Sequence, residues 1–241
     1  MIVLKIGGAV ITDKSPKSVN VAKFETIERI AKKIAENIED DLVLVHGVGS
    51  FGHPHVIRYG LLKEKNVRGV TVTHLSCVSL NMIVCGYLSQ YGLNPIPIHP
   101  LSSFRLVEGR LILPDNIESL VRDGMIPVVH GDMVYSNGRF EVLSGDRITV
   151  EIAKALKADR VGFATDVEGV IVDGRVVEEI RELEGIGTAE GKEDVTGGMR
   201  GKVEMILKNG IDAYIFHFED IDKFLKGEKV GTLVRGVEHV G

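Results

Sequence analysis

The stretch Ile2-Val3-Leu4-Lys5-Ile6-Gly7-Gly8-Ala9 decides the reading of this chain. An apolar run broken only by Lys5 meets two glycines, the pattern of a buried strand that stops at a tight turn. Glycines let a ligand reach the backbone without a Cβ in the way, and an ammonium at a strand end supplies compact positive charge. The strand therefore points at an anion, phosphate above all. The alternative for Lys5 is a side chain snorkelling from a sheet edge.

Working outward, Phe24, Ile27, Ile30, Ala31, Ile34 and Ile38 recur at helical spacing ahead of a second buried run at 42–45. This is a strand, helix, strand unit with a right-handed connection. The alternation continues with a helix at about 73–91, a strand at 95–99, a hairpin around Gly109-Arg110 and a short helix at 116–122. A strand at 126–130 and a turn at Ser136-Asn137-Gly138 precede Ser144-Gly145-Asp146, which opens an amphipathic helix. A strand at 160–164, a hairpin at Asp173-Gly174, a helix at 198–209, a strand at 213–216, a short helix at 221–225 and a strand at 232–234 follow. Such alternation predicts a three-layer αβα sandwich with a mainly parallel central sheet and ligand loops at the carboxyl ends of its strands.

Composition narrows the function. With 241 residues, 44% hydrophobic and 26% charged, the chain is neither disordered nor fibrous, and one domain or two closely packed lobes is expected. A net charge of -5 offers no broad cationic surface, which argues against general nucleic-acid binding. The longest apolar runs are strand-length rather than the ~20 residues of a membrane helix, so no membrane partner is expected. The opening runs straight into a strand without a signal-peptide layout, and the expected location is cytoplasmic. Cys77 and Cys85 stand too far apart on one helix for a bridge and are expected to be reduced and buried.

Gly47-Val48-Gly49-Ser50-Phe51-Gly52 matches the dinucleotide fingerprint G-x-G-x-x-G literally and follows a strand. A nicotinamide reading also needs a helix opening in the loop and an acidic residue about 20 positions on; His53-Pro54-His55 follows at once, and 69–76 contains no Asp or Glu. The loop can still expose the backbone N–H groups of Gly47, Val48 and Gly49 to an anion, with His53 as a directed donor. Lys14 lies on the loop after the first turn, where a solvated surface lysine is the plain alternative. Asp194 to Lys202 is a further glycine-rich stretch entering a helix, with Thr196 and Lys202 available to phosphate. It departs from the Walker A pattern because Val203 follows Lys202, and it is also compatible with a simple helix start.

Taken together, Lys5-Ile6-Gly7-Gly8-Ala9, Gly47 to His53, Ser144-Gly145-Asp146, Thr165-Asp166-Val167-Glu168-Gly169-Val170 and Asp194 to Lys202 resemble the amino acid kinase superfamily. The resemblance covers nearly the whole chain. Gly-Ser-Phe-Gly-His-Pro at 49–54 together with Lys14 is similar to its archaeal isopentenyl phosphate kinase branch. It implies a reaction of ATP with isopentenyl phosphate that gives ADP and isopentenyl diphosphate in an alternative mevalonate route. Lys5, Lys14 and His53 are the implied catalytic residues, the lysines neutralising the transferring phosphoryl and His53 holding the acceptor phosphate. ATP is implied to meet Lys5, Gly7, Gly8, Ala9, Gly49, Asp146, Thr165, Asp166, Gly169, Gly198 and Lys202. The acceptor is implied to meet Gly47, Val48, Gly49, His53 and Gly131. The chain departs from the family at Ala9, where Ser or Thr is common.

Mg²⁺ is implied with ATP, held mainly by substrate phosphates and water, and no metal ligand is assigned. A homodimer is expected, with residues of about 1–140 forming the acceptor lobe and about 141–241 the nucleotide lobe of a single domain. The acceptor's hydrocarbon tail needs a dry pocket, for which Leu75, Val78, Ser79, Met82, Ile83 and Gly86 are the candidates, with plain core as their alternative. His46, His55, His74, His99 and His130 are expected to be structural or exposed. A kinase for another small phosphate or phosphonate, a non-catalytic nucleotide sensor and a nicotinamide-dependent oxidoreductase are the rival readings.

Overall fold

A computed structural model describes residues 1–13, 15, 17–183 and 198–236. The first half runs β1 (Ile2–Ile6), α1 (Gly8–Ile11), α2 (Phe24–Asn37), β2 (Leu42–His46), α3 (His53–Arg58), α4 (Val67–Gln90), β3 (Pro95–Ile98), α5 (Pro100–Ser103), β4 (Arg105–Val107), β5 (Arg110–Ile112), α6 (Ile117–Arg122) and β6 (Ile126–His130). It continues with β7 (Asp132–Ser136), β8 (Arg139–Leu143), α7 (Gly145–Ala155), β9 (Arg160–Thr165), β10 (Ile171–Val172), β11 (Arg175–Val176), β12 (Glu179–Ile180), α8 (Gly198–Lys208), β13 (Ala213–His217), α9 (Ile221–Leu225) and β14 (Thr232–Val234).

Eight strands form one sheet in the order β12-β14-β13-β9-β1-β2-β6-β3, parallel throughout except where β13 meets β14. The three-layer sandwich expected from the alternation is therefore present. β1 sits in the middle, between β2 on one side and β9 on the other, so the strand order reverses across it. Ligands of open α/β sheets bind at such a reversal, outside the carboxyl ends of the strands.

Strand alternation sorts the side chains between the two helical layers. Ile2, Leu4 and Ile6 of β1 and Leu42 and Leu44 of β2 pack with Ile27, Ile30 and Ile34 of α2, Leu80, Val84 and Leu88 of α4 and Phe224 of α9. Val3, Val43 and Val45 pack on the other face with Ile148 and Ile152 of α7 and Val203 and Ile206 of α8. Lys5 shares the parity of Val3, which puts it on the α7 and α8 side. The Asn137-Gly138 turn has φ of 44° and 83°, positive at both central positions as a two-residue hairpin between β7 and β8 demands.

Helix α4 begins six residues earlier than its hydrophobic spacing suggests, because Asn66 Oδ1 accepts from Gly69 N at 2.8 Å and caps it. Arg68 is its sole ionised residue, and the helix is long and apolar enough to cross a membrane by composition, contrary to the expectation that apolar runs are only strand-length. Thr73, Ser76, Cys77, Leu80, Asn81, Val84 and Leu88 are nevertheless buried within the protein, and the Asn81 amide donates to Val128 O at 3.0 Å, which ties this helix to the sheet as core. Leu4 is wholly enclosed at the centre of the sheet. Leu4→Ala is expected to cost about 2 to 5 kcal/mol, read as a lower denaturation midpoint at unchanged slope.

Candidate functional site

The carboxyl ends of the central strands are tied level by backbone hydrogen bonds: Gly7 N donates to Ala164 O and Gly47 N to Ile6 O, both at 2.8 Å, and Gly131 N to His46 O at 3.0 Å. The loops after β1 and β2 then touch backbone to backbone. A Cβ on Gly8 would lie 2.6 Å from Gly49 N, and one on Gly47 would lie 2.5 Å from Gly8 N, closer than any side chain permits. Thr12 clasps both loops, its hydroxyl donating to Gly8 O at 2.8 Å and accepting from Ser50 N at 3.1 Å. Gly8 and Ala9 open a helix, so their N–H groups have no intrahelical acceptor. The N–H groups of Val48 and Gly49 make no hydrogen bond among the described residues. Four backbone donors from two strand ends are thus left for a ligand, and an anion is what such donors select.

Beside them lies a buried charge cluster. Ser144 caps α7, its Oγ accepting from Arg147 N at 3.2 Å, and Asp146 falls in the first turn. Lys5 Nζ lies 2.8 Å from Asp146 Oδ1, and Lys202 Nζ of α8 donates to Asp146 Oδ2 at 2.8 Å. The Lys5 contact is an ion pair off the hydrogen-bonding direction, since Oδ1 counts no well-aligned donor. Lys202 also stands 5.2 Å from the centre of the Phe163 ring. Burial pushes the Asp146 carboxyl up, but the ammonium groups of Lys202 and Lys5 outweigh it and hold the carboxyl well below its ordinary value. Two ammonium groups thus converge on one carboxylate in a place that water scarcely reaches. That arrangement can hold and polarise a phosphoryl group.

His53 opens α3 directly after Gly52 and is half-buried. Contrary to the expectation from His53-Pro54-His55, a short helix does follow the glycine loop, preceded by a single 3-10 turn at Gly49–Phe51. The proline sits in the first turn of that helix, where a missing N–H costs nothing. Thr165 closes β9 with its hydroxyl already engaged, its one hydrogen within reach of Val167 O at 3.0 Å and Phe216 O at 3.2 Å and its oxygen accepting from Val167 N at 3.3 Å, next to an exposed Asp166. A Cβ on Gly169 would lie 2.6 Å from Thr232 Oγ1, so this glycine serves close packing. Gly198 starts α8 with a positive φ of 59°. Lys14, Asp194 and Thr196 lie outside the described residues.

Of the α4 residues suggested for the hydrocarbon tail, Val78 and Ile83 are half-buried and the other four lie on the outer face. Leu75, Ser79, Met82 and Gly86 are exposed, because the helix turns its other side to the sheet. The histidines set aside in the sequence reading are instead drawn together. His46 and His130 end adjacent strands and face each other in register, and His99 follows the end of β3. His99 Nδ1 lies 3.0 Å from His130 Nε2, and His74 Nδ1 lies 2.7 Å from Asp132 Oδ2, a contact that raises the His74 pKa. His55 Nε2 donates to Asn20 Oδ1 at 3.0 Å. The signal was present in the sequence as three strands that each end in apolar residues and then His: Leu-Val-His, Val-Val-His and Pro-Ile-His. Cys77, His130 and Asp132 bring ligand-type atoms within 4.8 Å of one another, yet both ring nitrogens of His130 are already hydrogen-bonded, which leaves it no lone pair for a metal.

Asp146→Asn should remove the carboxylate that Lys5 and Lys202 share and lower stability by about 3 to 5 kcal/mol at neutral pH. A carboxyl whose folded pKa lies below its ordinary value of 3.8 stabilises fully above that value and loses the contribution as pH falls toward the folded pKa. The stability gap between the parent and Asp146→Asn, measured by urea unfolding, should therefore be largest near pH 7 and shrink below about pH 4.

Residues 1–217 match the model of the amino acid kinase family. The chain is 38% identical to the isopentenyl phosphate kinase of Haloferax volcanii over 98% of its own length and 99% of that protein, and 34% identical to that of Methanothermobacter thermautotrophicus over 98% and 99%. Among solved structures, an isopentenyl phosphate kinase superposes with a TM-score of 0.82 at 30% identity, covering 98% of this chain and 99% of the other. Carbamate kinase of Giardia lamblia shares the fold with a TM-score of 0.68 at 17% identity, covering 98% of each chain. This chain belongs to the amino acid kinase family, within its isopentenyl phosphate kinase group.

Proposed function

We propose that this chain is a cytoplasmic ATP-dependent kinase that phosphorylates isopentenyl phosphate to isopentenyl diphosphate, a step of an alternative mevalonate route. The observation that carries the reading is the placing of four backbone donors that make no hydrogen bond among the described residues, from Gly8, Ala9, Val48 and Gly49, next to the Lys5–Asp146–Lys202 cluster. One anion can lie on the donors while a second is drawn by the two ammonium groups. Two phosphates that repel each other are thereby held end to end, which is most of what phosphoryl transfer requires of a protein.

In this reading an oxygen of the acceptor phosphate attacks the terminal phosphorus of ATP, and the bond to the leaving ADP oxygen breaks. An ionised phosphate needs no base to act as nucleophile, so no proton has to be removed. Lys5 and Lys202 offset the charge on the transferring group, and His53, on the loop that carries the free amides, adds a donor to the acceptor. Asp146 is occupied by two lysines and does not suit a metal ligand; Mg²⁺ fits as an ion carried in by the nucleotide's phosphates and water.

A homodimer is part of the proposal. Its support is the outer face of α4, where Leu75 and Met82 are exposed at 57% and 51% beside Thr71, Ser79 and Gly86, with no ionised side chain among them. A surface of that kind is unusual on a monomer.

Incubation with Mg-ATP and isopentenyl phosphate should yield a diphosphate ester visible by ³¹P NMR, and absence of product from folded protein would refute the substrate assignment. His53→Ala should lower kcat/KM for the acceptor at least about tenfold while ATP affinity stays within about twofold; loss of ATP affinity alone would remove His53 from the acceptor site. By light scattering the parent should have the mass of a dimer, and Leu75→Glu with Met82→Glu that of a monomer; a monomeric parent would overturn this part.

A further inference from the structure

Two of the strand ends repeat one construction. In β2 the ring of His46 reaches over the next carbonyl, Nδ1 lying 3.0 Å from Gly47 O; in β6 the ring of His130 does the same, Nδ1 lying 2.8 Å from Gly131 O. A carbonyl can only accept, so each Nδ1 carries the proton. His130 Nε2 is then an acceptor, and His99 Nδ1 must be its donor. Asp132 Oδ2 accepts from His74 Nδ1 at 2.7 Å and from Leu101 N at 3.2 Å. The tautomers of the cluster follow from these partners alone.

The two strand-end rings are completely buried and stack with centroids 5.8 Å apart and planes at 25°. Burial above all holds them neutral, His46 pulled down to about 4 and His130 to about 3. Lys5, across the sheet, and His99, on the same side, push His46 the same way, against the Gly47 carbonyl, which favours the cation. Nε2 of His46 is enclosed and has no hydrogen-bond partner among the described residues. A buried acceptor without a partner lowers stability, so packing alone does not account for a histidine there.

Its consequence lies on the far side of the peptide. A trans peptide points its C=O and the following N–H in opposite directions. With Gly47 O held against the His46 ring, the Val48 N–H is turned away from the ring, and it is one of the donors that makes no hydrogen bond among the described residues. If that peptide flipped, a carbonyl oxygen would replace the N–H and repel an anion.

We propose that His46 is a positioning residue that locks the Gly47–Val48 peptide with its N–H presented to the acceptor phosphate, braced by the stack on His130 and by His99 behind it. The inference rests on the kinase reading above for the identity of the anion. It gives the buried histidines a role that sets the quality of the phosphate cradle from a distance.

The test compares His46→Leu, which removes the donor, with His46→Asn, whose amide can reach the same carbonyl. With Mg-ATP and isopentenyl phosphate, His46→Leu should lose at least about tenfold in acceptor kcat/KM at nearly unchanged ATP affinity, and His46→Asn should recover most of the loss. Independently of turnover, inorganic phosphate titrated into ¹⁵N-labelled protein should shift the Val48 amide signal in the parent and in His46→Asn but much less in His46→Leu. Equal damage in both folded variants, or an unaffected His46→Leu, would overturn the proposal. If neither variant folds, the ring ¹⁵N shifts of the parent decide: an Nδ1-protonated His46 from pH 5 to 8 supports the lock, and an Nε2-protonated ring refutes it. A parent that binds phosphate with the predicted Val48 shift but does not turn over isopentenyl phosphate would refute the substrate assignment and leave the lock standing.

Discussion

The contact on which the site depends is between two stretches of bare backbone. Gly7-Gly8 and Gly47-Val48-Gly49 approach so closely that a single added carbon at Gly47 would collide with Gly8 N. Because β1 and β2 are paired in register from Ile2 with Leu42 to Ile6 with His46, the two glycine turns begin at the same height. Only with both free of Cβ can the amides of the two loops open onto one space. Thr12 then fastens the pair from outside the sheet, which makes the loop that follows α1 part of the same unit.

Electrostatics is divided between the two faces of the sheet by the same alternation that builds the core. Lys5, one residue before Ile6, falls on the side of α7 and α8 and meets Asp146 and Lys202 there. His46, four residues after Leu42, shares the parity of Leu44 and falls on the side of α4 with His130. Cations for a transferring phosphoryl and neutral imidazoles that orient an amide thus sit on opposite faces of adjacent strands, with the strand ends between them. Buried charge of this kind is tolerated because Asp146 satisfies two ammonium groups at once.

Much of this was legible beforehand. The glycine pairs, the helix opened at Ser144, the strand-end Lys5 and the Asn137-Gly138 and Asp173-Gly174 hairpin turns are local signals, since they depend on residues close in sequence and on backbone sterics. The start of α4 was missed because Asn66 caps a first turn whose residues give no clear apolar spacing. Which side of α4 meets the sheet is not legible in its sequence, because that helix is apolar nearly all round. No single histidine carries a local signal; their grouping comes from the lateral pairing of β3, β6 and β2, which places distant positions side by side.

By itself the amino-acid order determined the alternation of strands and helices, hence the layered sheet, and the chemical character of its loops as anion binders. These follow from short-range rules: period, glycine conformation and capping. Only the tertiary structure decided which charges share a carboxylate, which amides are left without partners and which imidazole faces which carbonyl. Those outcomes depend on strand order and helix orientation, which arise from packing between segments that no local period connects.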